Sequence, residues 1–158
     1  MKYRLLSKEQ FEALHEEFAT FLATNGIDKD TWDTIKSNDS EQLDAYLEQF
    51  SDLVWEDVLN RTKYLEHYSE QSINLFYCEP NQISRIVVQV NNTAYDMRTA
   101  EGIDWFINNS NSRFIDYMKG QKNYIDERNV ELFQIIEQGA NLSDGELFKA
   151  LEQIIQKD

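Results

Sequence analysis

The sequence predicts an α+β fold with an N-terminal helical unit, a small antiparallel sheet of three to four strands, and C-terminal helices. Three observations carry this. Apolar residues recur at helical spacing before Arg61 and again after Tyr124. Between them, Ser72–Cys78 and Ile83–Val90 are rich in β-branched and aromatic residues. Turn chemistry separates these runs, so helices and strands are segregated along the chain, which is the α+β pattern. At 158 residues one domain is expected: 1–62 an acidic helical unit, 63–118 the sheet with one short helix, and 119–158 the closing helices.

The elements follow in order. Ser7-Lys8-Glu9-Gln10 forms a capping box, with Ser7 as N-cap. Phe11, Leu14, Phe18, Phe21 and Leu22 then share one helical stripe, and Gly26 supplies a stop. Asp28 or Asp30 starts a short helix with Trp32 and Ile35 on its apolar side. Asp39 or Ser40 caps the next, where Leu43, Tyr46, Leu47, Phe50, Leu53, Val54 and Val58 share a face. Trp55 and Leu59 leave that stripe, which requires either a break near Ser51-Asp52 or a second contact for Trp55.

Tyr64 to Tyr68 reads as a short strand. Glu79-Pro80-Asn81-Gln82 joins the next two strands as a hairpin with a longer loop. Thr99 caps a short helix with Ile103, Phe106 and Ile107 inward, and Arg113 to Tyr117 adds an edge strand. A helix from Tyr124 to Glu137 places Leu132, Phe133 and Ile136 inward and stops at Gly139. Ser143-Asp144-Gly145-Glu146 reads as a second capping box before a last helix faced by Leu147, Leu151, Ile154 and Ile155.

The charge is lopsided. Of a net charge of −14, the stretch Glu9–Asp57 holds 14 acids against only Lys29 and Lys36, while the remainder holds 15 acids against 13 bases. A pI near 4.5 argues against direct nucleic-acid binding, which needs Lys and Arg on phosphates, and against anionic membrane surfaces. It permits basic proteins, basic peptides or divalent cations. The apolar run at the N-terminus is too short for a signal peptide, and no stretch approaches the roughly 20 apolar residues of a membrane span. Together with the lone Cys78, this gives a cytoplasmic expectation.

The candidate partner-binding residues are Glu9, Glu12, Glu16, Asp28, Asp30 and Asp33, with Trp32 and Trp55 as aromatic anchors. Solvated helix faces carry such acids too. The scarcity of Lys at helical i,i+4 spacing is what favours docking. Asp28, Asp30 and Asp33 resemble a fragment of a calcium loop, but Trp32 and Asp33 stand where a third ligand and a glycine are needed. Helix capping explains them better, and no metal site is expected. His15 reads as a core-edge histidine. His67 and Glu66 are neighbours on a strand and so point to opposite faces. An enzyme would need His67 to converge with Cys78 or a distant carboxylate. The chain has no Gly-rich phosphate loop, no HExxH and no CxxC, so no catalytic residue and no cofactor is assigned.

Four segments also carry a resemblance: Met1-Lys2-Tyr3-Arg4-Leu5-Leu6-Ser7-Lys8-Glu9-Gln10-Phe11, Phe50-Ser51-Asp52-Leu53-Val54-Trp55-Glu56-Asp57-Val58-Leu59, Tyr64-Leu65-Glu66-His67, and Asp144-Gly145-Glu146-Leu147-Phe148-Lys149-Ala150-Leu151. Over its whole length the chain resembles an uncharacterised family of small cytoplasmic proteins from the Bacteroidetes. The resemblance implies a bacterial cytoplasmic setting and brings no catalytic residue. The expected function is a non-enzymatic interaction or adaptor module presenting an acidic helical face to a basic protein. The alternatives are a small enzyme using His67 and Cys78, and a nucleic-acid mimic.

Overall fold

The computed structural model describes residues 1–156. Among them lie seven helices, α1 (Lys8–Ala13), α2 (His15–Thr24), α3 (Lys29–Asn38), α4 (Ser40–Arg61), α5 (Ala100–Asn108), α6 (Arg128–Glu137) and α7 (Glu146–Gln156). The five strands are β1 (Tyr64–Tyr68), β2 (Ser72–Cys78), β3 (Gln82–Val90), β4 (Ile115–Asn123) and β5 (Asn141–Ser143). The fold is α+β, with two compact units: Met1–Asn60, and a second from Arg61 onward.

In the first unit the capping box forms as the sequence suggests. Gln10 N–H donates to Ser7 Oγ at 3.1 Å, and Ser7 N–H donates to Gln10 Oε1 at 2.8 Å. The single helix expected up to Gly26 is instead bent at Leu14, whose φ of −106° and ψ of 25° part α1 from α2. The bend lies between Phe11 and Phe18, whose rings both close on Phe50, at 6.0 and 4.9 Å between centroids. At the end of α2, Gly26 takes a φ of +75°. Ile27 N–H reaches back to Leu22 O at 2.9 Å and Gly26 N–H to Ala23 O at 3.0 Å, a Schellman stop that brings Ile27 onto Leu22. Asp28 Oδ1 accepts Thr31 N–H at 2.7 Å to start α3, and Asp39 Oδ1 accepts Gln42 N–H at 3.0 Å to start α4.

α4 runs unbroken for 22 residues, so the helix does not break at Ser51. Ser51 is buried and its hydroxyl donates to Leu47 O at 2.7 Å, while accepting Leu6 N–H at 3.1 Å. Beside it, the Asp52 carboxylate accepts the backbone N–H groups of Lys2 and Tyr3 at 2.7 and 2.9 Å. This side of α4 therefore clasps the N-terminal segment. Leu53, expected on the inner face, is 56% exposed. Leu22, Ile27 and Ile35 form a buried cluster, ringed by Phe18, Phe21, Trp32, Leu43 and Tyr46, and Phe50 and Leu59 of α4 are buried as well.

The second unit is built on one antiparallel sheet in the order β4-β3-β2-β1-β5. Five strands replace the three to four expected. The extra strand, β5, pairs Ser143 with Tyr64 and is three residues long, too short to show a period of two. Its Ser143 Oγ accepts Gly145 N–H at 2.9 Å, so the expected cap exists as a tight turn at the strand's end. β4 starts at Ile115 and runs on to Asn123, past the expected stop at Tyr117. Its exposed Lys119, Gly120 and Lys122 carry no apolar alternation, as suits a guarded edge.

The register divides the sheet into two faces. Ile73, Leu75, Ile86 and Val88 point to one and pack with Phe106 of α5 and Phe148 and Leu151 of α7. Phe76, Arg85, Val87 and Met118 point to the other, which α6 borders. The helix expected from Tyr124 begins only at Arg128. Tyr124 Oη is engaged with Glu79 O at 2.9 Å, and the Arg128 guanidinium donates to the carbonyls of Thr62, Cys78 and Glu79. Ile107, expected inward, is 59% exposed.

Candidate functional site

The acids of the first unit separate into two kinds. Glu9, Glu12, Glu16 and Asp30 are exposed, and among the described residues no Lys or Arg forms an ion pair with them. Asp28 and Asp33 have local employment. The backbone N–H of Thr31 holds the Asp28 carboxyl below the usual carboxylate range, and Asp33 meets Lys36 at 3.5 Å in an exposed pair worth little. The unpaired carboxylates Glu9, Glu12 and Glu16 thus follow one another along α1 and α2.

The two tryptophans are occupied differently from open anchors. Trp32 lies edge-on to Phe18 at 5.3 Å and to Tyr46 at 6.4 Å, inside the aromatic core of its unit. Trp55 is half-buried with the Arg4 guanidinium 4.9 Å over its ring. A second contact for Trp55 therefore exists, from a residue far away in sequence. His15 is exposed rather than at the core edge, its Nδ1 3.0 Å from Glu12 O.

His67 and Cys78 share a face of the sheet without meeting. His67 stands opposite Asn74, and Cys78 lies four residues further along β2, about 13 Å away at strand rise. Cys78 is buried, and burial pushes its thiol up to about 12 although the nearby Arg128 charge acts the other way. Such a thiol is protonated at neutral pH, which is opposite to what a nucleophile needs. Glu66 faces away from His67. It accepts from Tyr68 Oη at 2.9 Å and Ser143 Oγ at 2.7 Å, and burial with that carboxylate raises the Tyr68 hydroxyl. A cleft of about 580 Å³ does open beside His67, lined also by Arg98, Thr99, Gly139 and Asn141. Its Arg98 is committed to Asp96, with Nη2 2.7 Å from Oδ2. Among the described residues no group of three or more His, Cys, Asp or Glu is placed to hold a metal ion, and no helix is long and apolar enough to cross a membrane.

A larger concavity than this cleft belongs to the other end of the sheet, where sequence reasoning placed nothing. A groove of about 710 Å³ runs between β3, β4 and α6, lined by Phe76, Val87, Met118 and Ile135 with Arg85 and Lys122. Scattered apolar residues, an inner-strand Arg, a Gly and polar residues of β4 and α6 compose it. Only the strand register brings them together, so the chain offered no local pattern to find it by.

No curated protein and no solved structure matches the chain. A family model, that of the family of unknown function DUF6495, matches residues 1–156. The match spans nearly the whole chain, and the protein belongs to DUF6495.

Proposed function

We propose that the chain is a non-enzymatic interaction module, an adaptor of the bacterial cytoplasm that presents α1 and α2 to a basic surface on a partner protein. The observation that supports this is the row of exposed, unpaired carboxylates at Glu9, Glu12 and Glu16. They stand on helices held by a capping box, a Schellman stop and ring contacts, so a partner would meet a fixed array rather than a disordered tail. Trp32 and Trp55 are engaged within their own unit, which leaves charge as the main term. Charge steers encounter and sets specificity more than it adds affinity. The enzyme reading gains nothing from a register that holds His67 and Cys78 apart.

Partner capture by the wild type and by a Glu9→Gln/Glu12→Gln/Glu16→Gln variant, each across a salt series, tests the reading. Attraction between exposed charges is screened over about 8 Å at physiological ionic strength. The expected result is a basic partner held at low salt, released as salt rises, and absent from the variant. A partner set that is indifferent to salt and identical for the variant would overturn it.

A further inference from the structure

We propose that the groove between β3, β4 and α6 binds a small monocarboxylate with an apolar body, its carboxylate seated on the Arg85 guanidinium. This is independent of the acidic helices, which belong to the other unit.

Arg85 projects from an inner strand, β3, with Phe76 of β2 opposite it on one side and Gly120 of β4 on the other. Gly120 does not adopt a positive φ, and a Cβ built there would meet nothing within 4 Å. The backbone does not require glycine at this point. What the missing side chain does is leave the space beside Arg85 open. Arg85 Nε donates to Asn74 Oδ1 at 3.1 Å and the guanidinium lies 5.6 Å over the Phe76 ring. Both partners are neutral, and among the described residues no carboxylate pairs with it. Nη2 donates to Asn74 Oδ1 as well, so the guanidinium is fixed by its Nε edge, and its end, Nη1 with the second Nη2 proton, is suited to bidentate capture of a carboxylate.

The surroundings set the rest of the ligand. Phe76, Val87, Met118 and Ile135 supply an apolar wall, with Met118 57% exposed although it sits within a strand. The other cations are already balanced. Lys122 meets Glu131 at 3.4 Å, and Lys119, on the opposite face of β4, meets Glu152 at 2.8 Å. One uncompensated positive charge fits a carboxylate better than a phosphate monoester, which carries about −1.5 to −2. The volume of about 710 Å³ lies in the range of small-molecule sites, roughly 300 to 1,000 Å³.

Calorimetry and amide-shift mapping on the full chain, with octanoate, octanol and octyl phosphate as probes, test this. Octanoate should bind saturably and shift Gln82–Val90, Ile115–Asn123 and Arg128–Glu137, with octanol at least about tenfold weaker. Arg85→Gln should weaken octanoate about tenfold or more. Gly120→Leu should abolish binding by filling the groove while the circular dichroism spectrum is kept, and Glu131→Gln, which frees Lys122, should tighten it. The proposal is overturned if octanoate does not saturate the wild type, if Arg85→Gln binds it as well as the wild type does, or if octyl phosphate binds tighter than octanoate.

Discussion

The two units of this chain are stabilised in different ways. In the second, Ile73, Leu75, Ile86, Val88, Val90 and Met97 are closed to solvent altogether, and four of the five strands pair along five residues or more. In the first, Leu59 is closed to solvent and Leu6, Leu22, Ile27, Ile35 and Phe50 are buried, but much of the interior is made of rings set 4.9 to 6.4 Å apart, mostly edge-on or tilted. About 60 residues bury a smaller fraction of their surface than a larger domain does, so such a unit leans on local devices. It has them in series: the Ser7 box, the Gly26 stop, the Asp28 and Asp39 caps, and the Ser51–Asp52 clasp. A cap is typically worth about 1 kcal/mol. The expectation is that the sheet unit resists surface change and fails under intrusion into its core, whereas the helical unit loses stability in small steps, one device at a time.

Intrusion into the sheet unit should give the largest effect. A Cβ at Gly102 would fall 1.9 Å from the Asp96 carbonyl oxygen. That carbonyl is not free to move aside, since it accepts both the N–H and the hydroxyl of Thr99, at 3.0 and 2.8 Å. Gly102→Ala should therefore cost about 3 kcal/mol by forcing α5 off the sheet's Met97 side. Hydrogen exchange read by region decides whether the comparison has thermodynamic meaning. Protection lost in α5 and β3 but kept in α2 and α3 would sustain it. An even loss in both units would show that they unfold as one.

The corresponding cut in the helical unit is Ser51→Ala. It leaves Leu6 N–H without its acceptor in a buried position and frees the Leu47 carbonyl of a second donor. A loss of about 1 to 2 kcal/mol is expected in urea unfolding, from one unsatisfied donor. Ser51→Thr, which retains the hydroxyl, should recover part of it. An unchanged midpoint for Ser51→Ala would mean that the N-terminal segment is held by its other ties to α4, to Asp52, Glu56 and Trp55.

What the sequence disclosed divides along the same line. The Ser7–Gln10 box, the Thr99 cap and the bounds of β2 are written within a few residues of themselves, and each forms as read; of Asp28 and Asp30, it is Asp28 that caps α3. Apart from single residues misplaced on a helix face, such as Leu53 and Ile107, the failures are long-range. Nothing near Leu14 marks the bend, because its setting is the Phe50 ring. Trp55 looked like a break or an anchor because its partner, Arg4, lies at the other end of the unit. β5 exists only as a partner to β1, and the groove exists only through the alignment of Arg85 with Gly120. The acidic candidates were legible as charge, but their sorting into free carboxylates and working caps needed the hydrogen bonds.

That sorting yields the smallest and most specific prediction. Asp28 is exposed, and Thr31 N–H lowers its carboxyl from the ordinary value of 3.8. A group whose folded value is depressed adds stability that is whole above its unfolded value and vanishes as pH falls through the folded one. The contribution of the ionised cap to α3 should thus be constant down to about pH 4 and shrink below it. A variant is needed beside the wild type, to separate this contribution from everything else that acid does to the fold. Asp28→Asn keeps a side-chain oxygen for Thr31 N–H and removes only the ionisation. The difference in stability between the two proteins should be flat at neutral pH and narrow toward pH 3, while the larger background common to both cancels. A difference that stays level to the lowest pH would mean that the cap acts through its hydrogen bond alone, and that charge near α3 is free for a partner to use.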